Sequence, residues 1–344
     1  MDHGGGDLRN VPNEPSIWGD CYKVNAGRRG QSLRASATGG TKETGIVGEG
    51  TCVEVRDGRA EVLDRQPLPA HERGGRSPVH LSRRRYTLRA DRPVARREVA
   101  GLGPYLQGAL MERIDTHYAD GLHHAAVNPY SQYVVPAEGS GRAVKDSTTS
   151  ALTWTISTLD DEASAHLHRA IARGITIDLR RPGLSLSVES AEDADDATEA
   201  DLSALFYSPS PPNKFRVAFR APTAFKQHGR YVFLPDPRLV VQSLVLKHSA
   251  LVDGEEPDEG FVDEVARSIR LTSFRLASQP FPLGGTFIPG FTGSATFGVR
   301  GPATLCNYVG MVMRFGEFSG CGIKSSMGMG AIEVEALTRR EAVK

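Results

Sequence analysis

Two stretches of the chain carry residue types that can do chemistry. The first is FGEFSGCGIKSSMGMG, residues 315 to 330. In it Gly320, Gly322, Gly328 and Gly330 punctuate eleven residues around Lys324, Ser325 and Ser326. Glycine lacks a Cβ, so such a loop can take positive φ and press its backbone against a ligand. Successive backbone N–H groups in such turns form an anion-binding concavity. With one lysine and two hydroxyls added, the loop reads as a cradle for phosphate, the plainer alternative being a connector between a helix and a strand. It is not a Walker loop, which opens a helix after a strand and carries GK[ST]. It is not the dinucleotide fingerprint either, which also needs strand before helix.

The second stretch is Leu122-His123-His124. Histidine, with an ordinary pKa of ~6.5, suits proton transfer near neutral pH. The chain has ten histidines. His3, His71 and His80 lie in a Gly-rich N-terminal region and read as solvated. His166 and His168 read as the surface of a helix, His248 as packed at a core edge, and His228 as exposed in the KQHGR loop. His117 is expected at the end of the first helix, where the dipole favours a cation. On residues alone, the pair His123–His124 in a loop reads more readily as solvated than as catalytic. No DxD, HExxH or carboxylate cluster sits in a plausible pocket context, GxSxG is absent, and the carboxylate runs read as solvated loops, so no metal is expected. The cysteines Cys21, Cys52, Cys306 and Cys321 form no CxxC pair, which argues against a zinc knuckle or a disulfide framework and fits a reducing cytoplasm.

The elements that must position these residues follow from length and pattern. A chain of 344 residues, 39% hydrophobic and 24% charged, is ordinary for a globular protein and long enough for two domains. No apolar run approaches the ~18 residues of a membrane span, and the first ten residues do not read as a signal peptide. The formal net charge is zero, but its distribution is uneven. Residues 189–201 and 253–264 are acidic. With the second cluster set aside, residues 205 to 330 hold thirteen Lys/Arg against Asp236 and Glu317. Such a basic half supplies salt-dependent affinity for nucleic acid.

Residues 1–80 read as a flexible extension with one small hairpin, 51–55 and 59–63, around an Asp-Gly turn. Residues 83–91 alternate as a first strand that Pro93 ends. Residues 98–117 follow as a helix, then strands at 132–135 and 151–158. A helix capped by Asp160 or Asp161 runs to about Arg173, and strands at 175–179 and 184–188 close a β-α-β-β-α-β order with one extra strand. The order repeats. A strand at 215–219 precedes helices at 236–251 and 261–270, strands at 271–276 and 286–297, a helix at 304–318 and a strand at 331–337. Tyr308, Met311, Val312, Phe315 and Phe318 form a stripe on the last helix that reads as core.

With these residues in place the chain resembles the Cas6 family of CRISPR precursor-RNA endoribonucleases, a branch of the RAMP superfamily. The resemblance rests on the glycine-rich loop Gly320–Gly330, the Ala221-Pro-Thr-Ala-Phe225 segment, the run Gly229-Arg-Tyr-Val-Phe-Leu-Pro-Asp-Pro237, and Gly290-Phe-Thr-Gly293. It covers roughly residues 83 to 337. It implies α+β architecture with tandem ferredoxin-like (RRM-type) domains, 81–205 and 206–344, after the extension 1–80.

The resemblance also implies cleavage of CRISPR repeat RNA to mature crRNA without metal or cofactor. The histidine of a Leu-His pair acts on the 2′-OH, which leaves a 2′,3′-cyclic phosphate and a 5′-OH. The match falls on His123, with His124 the alternative if the register slips by one. Gly320, Gly322, Lys324, Ser325, Ser326, Gly328 and Gly330 would bind RNA, and other Cas proteins are the further partners implied. Two supporting groups are absent. Met111 stands where some members have a tyrosine three residues beyond Tyr105-Leu-Gln-Gly108, and Asn128-Pro-Tyr130 stands where a lysine is found. Tyr130, an arginine or the loop amides would have to meet transition-state charge. A non-catalytic RAMP-type crRNA-binding subunit is the alternative, and a protein-interaction subunit a third.

Overall fold

The computed structural model describes residues 44–47, 51–56, 59–63, 79–137, 147–253 and 259–337. The chain divides into two units, 1–76 and 77–344. In the first, β1 (Thr44–Val47), β2 (Thr51–Arg56) and β3 (Arg59–Leu63) form an antiparallel sheet, with β2 and β3 the expected hairpin. Its Asp57-Gly58 turn and most of the expected extension lie outside the described residues.

The second unit contains two βαββαβ halves. The first comprises β4 (His80–Ala95), α1 (Gly103–Met111), α2 (Thr116–His124), β5 (Tyr130–Pro136), β6 (Thr148–Thr158), α3 (Asp161–Leu167), β7 (Thr176–Leu179) and β8 (Leu184–Thr198). The helix α4 (Glu199–Phe206) then leads to β9 (Lys214–Thr223), β10 (Phe225–Gln227), β11 (Arg230–Val232), α5 (Pro237–His248) and α6 (Glu259–Ser268). The chain closes with β12 (Ile269–Ser278), β13 (Phe281–Leu283), β14 (Thr286–Ile288), β15 (Phe291–Val299), α7 (Ala303–Ser319) and β16 (Ile332–Ala336).

The first sheet runs β5-β6-β4-β8-β7 and the second β12-β15-β9-β16, all antiparallel. Read outward from the strand that opens each half, both follow the ferredoxin-like order, the last strand beside the first. β7 is the extra edge strand. β10–β11 and β13–β14 are hairpins inserted between elements of the second half. One face of the first sheet buries Tyr86, Leu88, Val134, Trp154 and Ile156 against Leu106 and Leu110 of α1 and Leu167 of α3. The second core joins Phe215, Val217, Phe297 and Ile332 to α5 and α7. The stripe on α7 belongs to this core, with Tyr308 at its margin.

Several local expectations are corrected. The helix expected over 98–117 is three pieces, a 3-10 turn (Arg96–Leu102), α1 and α2. Pro104 sits in the first turn of α1, and Asp115 opens α2 by accepting from the Tyr118 N–H at 3.0 Å, so His117 lies at a helix start. Pro93 does not end β4, because a register shift between Arg89 and Val94 accommodates it. The helix after Asp160 stops at Leu167, and residues 286–297 split into β14 and β15. The acidic run 189–201 is strand and helix, its carboxylates facing β4 arginines: Arg84 meets Asp193 at 2.7 Å, and Arg89 pairs with Glu189. Of the second acidic run, residues 254–258 are outside the described residues, and Asp263 lies on α6, paired with Arg238 at 2.9 Å.

His168 is not a surface residue. It is 6% exposed, with Nε2 at 3.0 Å from the Ser82 hydroxyl and Nδ1 at 3.3 Å from the Tyr86 hydroxyl. Burial pushes it down to about 4. His166 stacks on Tyr118, rings 4.0 Å apart.

Candidate nucleic-acid interface

The glycine-rich loop begins where α7 ends. It is gripped from three directions, and the motifs that resemble the family meet around it. From β9 the Pro222 carbonyl accepts from the Gly330 N–H at 3.0 Å, and just past the strand the Ala224 carbonyl accepts from the Ile323 N–H at 3.0 Å. A Cβ on Gly322 would overlap that Ala224 oxygen, and one on Gly330 the Cys321 oxygen; both glycines hold positive φ. These glycines are therefore required by packing, and all four of the loop are buried. Gly290 of the third motif packs its α-carbon near Pro222.

The second grip comes from α5, opened by Asp236 of the Leu-Pro-Asp-Pro run, whose side chain accepts from the Leu239 N–H at 3.1 Å. Ser243 and Lys247 lie one turn apart on α5, hence on one face. The Ser243 hydroxyl accepts from the Gly322 N–H at 2.7 Å. The Lys247 ammonium donates to the Ser319 carbonyl at 3.1 Å, the Gly320 carbonyl at 2.9 Å and the Ser325 hydroxyl at 3.1 Å. Neither residue stood out in the sequence; their i, i+4 spacing on a helix that follows the Pro-Asp-Pro run is the signal available.

The third grip is the first half. The Gln132 amide donates to the Gly103 and Ser326 carbonyls, both at 3.0 Å, and accepts from the buried Trp154 indole. The Asn128 amide reaches the Ser326 hydroxyl at 3.5 Å. Tyr130 is 1% exposed, accepts from the Gln107 amide at 3.1 Å, and is pushed up to about 12 by burial. Its phenol is engaged inside the protein. Met111 packs at the edge of the first core.

Next to the loop, the end of α7 docks on a polar row that crosses four strands of the first sheet. Ser131, Ser157, Arg83 and Asp195 are successive register partners on β5, β6, β4 and β8. The Ser131 hydroxyl donates to the Phe318 carbonyl, and Arg83 to the Glu317 carbonyl and, at 3.2 Å, the Ser157 hydroxyl. Arg314 reaches back to Asp195, and the guanidinium carbons of Arg83 and Arg314 lie 4.7 and 4.8 Å from the centre of the Phe318 ring.

With these bonds counted, the loop has a definite inventory of donors. The N–H groups of residues 320–323 and 327–330 all donate within the protein. Among the described residues, the N–H groups of Lys324, Ser325 and Ser326 have no protein acceptor. Lys324 takes a left-handed conformation, φ 57°, ahead of the 3-10 turn Ser325–Met327, a conformation that points consecutive N–H groups the same way. Lys324 and Ser325 are half-buried, and Ser326 is buried.

His123 and His124 are exposed in the last turn of α2, not in a loop, with rings 5.3 Å apart and edge to face. His124 Nδ1 is 2.9 Å from the Asp120 carbonyl oxygen. His123 precedes Asn128 by five residues, at most ~18 Å of chain, and Asn128 touches Ser326 of the loop. Of the thirteen basic residues of 205–330, Arg216 pairs with Glu335, Arg220 with Glu333 and Arg314 with Asp195. Arg230, Arg270 and Arg275 are exposed. Among the described residues no cluster of His, Cys, Asp and Glu could hold a metal, and no helix is long and apolar enough to cross a membrane.

The profile of the family described as CRISPR-associated endoribonuclease Cas6 matches residues 217–332. The chain is 49% identical over 274 residues to the CRISPR-associated endoribonuclease Cas6 of Mycobacterium tuberculosis, which spans 79% of this chain and 84% of that one. It is 34% identical over 229 residues to the protein of the same name from Streptococcus thermophilus, 66% of this chain and 89% of that one. Among solved structures, a Cas6 product complex superposes with a TM-score of 0.59 at 24% identity, covering 74% of this chain and 100% of the other.

Proposed function

This chain belongs to the Cas6 family of CRISPR-associated endoribonucleases, and from that premise we propose that it cuts CRISPR repeat RNA into crRNA units without a metal ion. His123 of the first half, 81–205, withdraws the proton of the 2′-OH. The oxygen attacks the adjacent phosphorus, and the 5′-oxygen leaves as it gains a proton. The products are a 2′,3′-cyclic phosphate and a 5′-OH. His124 is the alternative for this role if the register of the family match slips by one.

The observation that carries the reading is the set of three spare N–H donors at Lys324, Ser325 and Ser326 in the second half, 206–344. These donors, with the lysine charge and the serine hydroxyls, hold backbone phosphates. Gly320, Gly322, Gly328 and Gly330 keep the loop in the conformation that leaves those donors unpaired. The loop amides then do the work of the missing tyrosine and lysine: preorganised donors stabilise charge that develops on the phosphoryl oxygens.

The test is cleavage of the repeat RNA of the same genome in EDTA, with analysis of the product ends. A cut that persists in EDTA and leaves a 2′,3′-cyclic phosphate is expected. Tight binding with no cut would favour the non-catalytic crRNA-binding subunit, and cleavage abolished by EDTA would overturn the metal-free chemistry.

A further inference from the structure

Lys247 is 4% exposed. A buried ammonium is ordinarily paired with a carboxylate or neutralised, because desolvation of an isolated charge is costly. Here all three of its donors are satisfied by neutral dipoles: two carbonyls at the C-terminal end of α7 and the Ser325 hydroxyl. Among the described residues no carboxylate faces it. The titratable group that bears on it is the Cys321 thiol, itself fully buried and pushed up to about 12 by burial, and therefore neutral. Asp263, on α6 beside α5, is taken by Arg238. The charge thus sits beneath the loop with its compensation incomplete, and Ser325, which it holds, is one of the three residues whose N–H groups are spare.

We propose that Lys247 is a positioning residue whose ammonium sets the Ser319–Ser325 backbone and has its counter-charge completed by an RNA phosphate on the loop, so that the proton and the RNA bind cooperatively. This rests on the reading of the loop as a phosphate site. Burial pushes Lys247 down to about 8 in the free protein, so the ammonium is lost from the free protein as pH rises past that value. A bound phosphate favours the ammonium and shifts its titration upward. The sign follows from linkage: RNA affinity is full below about pH 8 and falls above it, by roughly tenfold between pH 7 and 9 if the bound form titrates near the ordinary lysine value.

The experiment measures the Kd of 2′-O-methyl repeat RNA, which cannot be cut by 2′-OH attack, from pH 6.5 to 9.5 at fixed salt. Wild type is compared with Lys247→Met and Lys324→Ala. The wild-type affinity should fall across this range, and Lys247→Met should bind weakly with a flat profile. If Lys247→Met does not fold, calorimetry of the wild type at pH 8.5 in two buffers of different ionisation enthalpy decides; uptake of about half a proton or more is expected on binding. A folded Lys247→Met with the wild-type pH profile, or no proton uptake by the wild type, would overturn the proposal. Lys324→Ala separates the two readings. If it weakens binding while the wild-type profile is flat, the loop is a phosphate site and the proton linkage is wrong. If neither Lys324→Ala nor Lys247→Met weakens binding, the loop is not a phosphate site and the linkage proposal falls with it.

Discussion

Arg314 of α7 forks onto both carboxylate oxygens of Asp195 on β8, at 2.7 Å each. The two residues are 119 positions apart and belong to different halves of the ferredoxin-like pair. Burial pushes the Asp195 carboxyl up, but the hydrogen bonds from Arg314 together with the charges of Arg314 and Arg83 outweigh it and hold the group below the usual carboxylate range. Asp195→Ala should therefore leave Arg314 and Arg83 without their shared anion and lower stability by about 2 kcal/mol, read in urea unfolding at neutral pH. Asp195→Leu combined with Arg314→Met should cost less than the sum of those two single changes, since the pair is then removed whole rather than broken.

This relationship also marks where reading the sequence alone fails. Period and spacing identify β4, β6, β9, α5, α7 and the two βαββαβ repeats, because each buries one apolar face. The residues 189–201 look like a solvated acidic loop, because their arginine partners on β4 and α7 are distant in sequence. The glycine-rich loop was legible as a special backbone. Its glycines, however, are packed against Ala224, Cys321 and Ser325, and the donors it leaves spare are those of Lys324, Ser325 and Ser326. Ser243 and Lys247 grip the loop from one helix face, with their i, i+4 spacing as the one local sign, and Gln132 grips it through tertiary contacts that no local pattern announces. His168 reads as a surface residue because its hydroxyl partners Ser82 and Tyr86 come from β4.

His168 makes stability depend on pH. It is held neutral in the fold, at about 4, against an ordinary value of ~6.5 in the unfolded chain. Between these values the unfolded chain binds more protons, so stability falls as pH drops from 6.5 toward 4. The loss reaches roughly 3 kcal/mol when complete. His168→Gln should flatten that part of the profile in unfolding experiments at pH 7 and 4.5, at the cost of a lower stability at pH 7.

Gly322→Ala should be severely destabilising. The residue holds φ +88°, and a Cβ there would overlap the Ala224 carbonyl oxygen. The strain and the clash together should cost about 3 kcal/mol or more. Gly108, around which a Cβ would have open space, is the control, and Gly108→Ala in α1 should be neutral or slightly stabilising. Thermal unfolding of the three proteins checks both statements.

Lys324→Ala should weaken repeat-RNA binding severalfold and reduce the slope of log K against log salt by about 0.7, the value for one neutralised phosphate on a single strand. Its thermal midpoint should stay close to that of the wild type, since its side chain holds no hydrogen bond or ion pair among the described residues. An unchanged salt slope would remove this lysine from the interface.

The most direct test of the central claim is single-turnover cleavage of repeat RNA by His123→Ala beside the wild type, with RNA affinity measured on both. The variant should lose cleavage by about 100-fold or more and keep its affinity within a few fold. Cleavage at the wild-type rate by His123→Ala would contradict the assignment of the acid–base group to His123, and His124→Ala would be the next protein to measure.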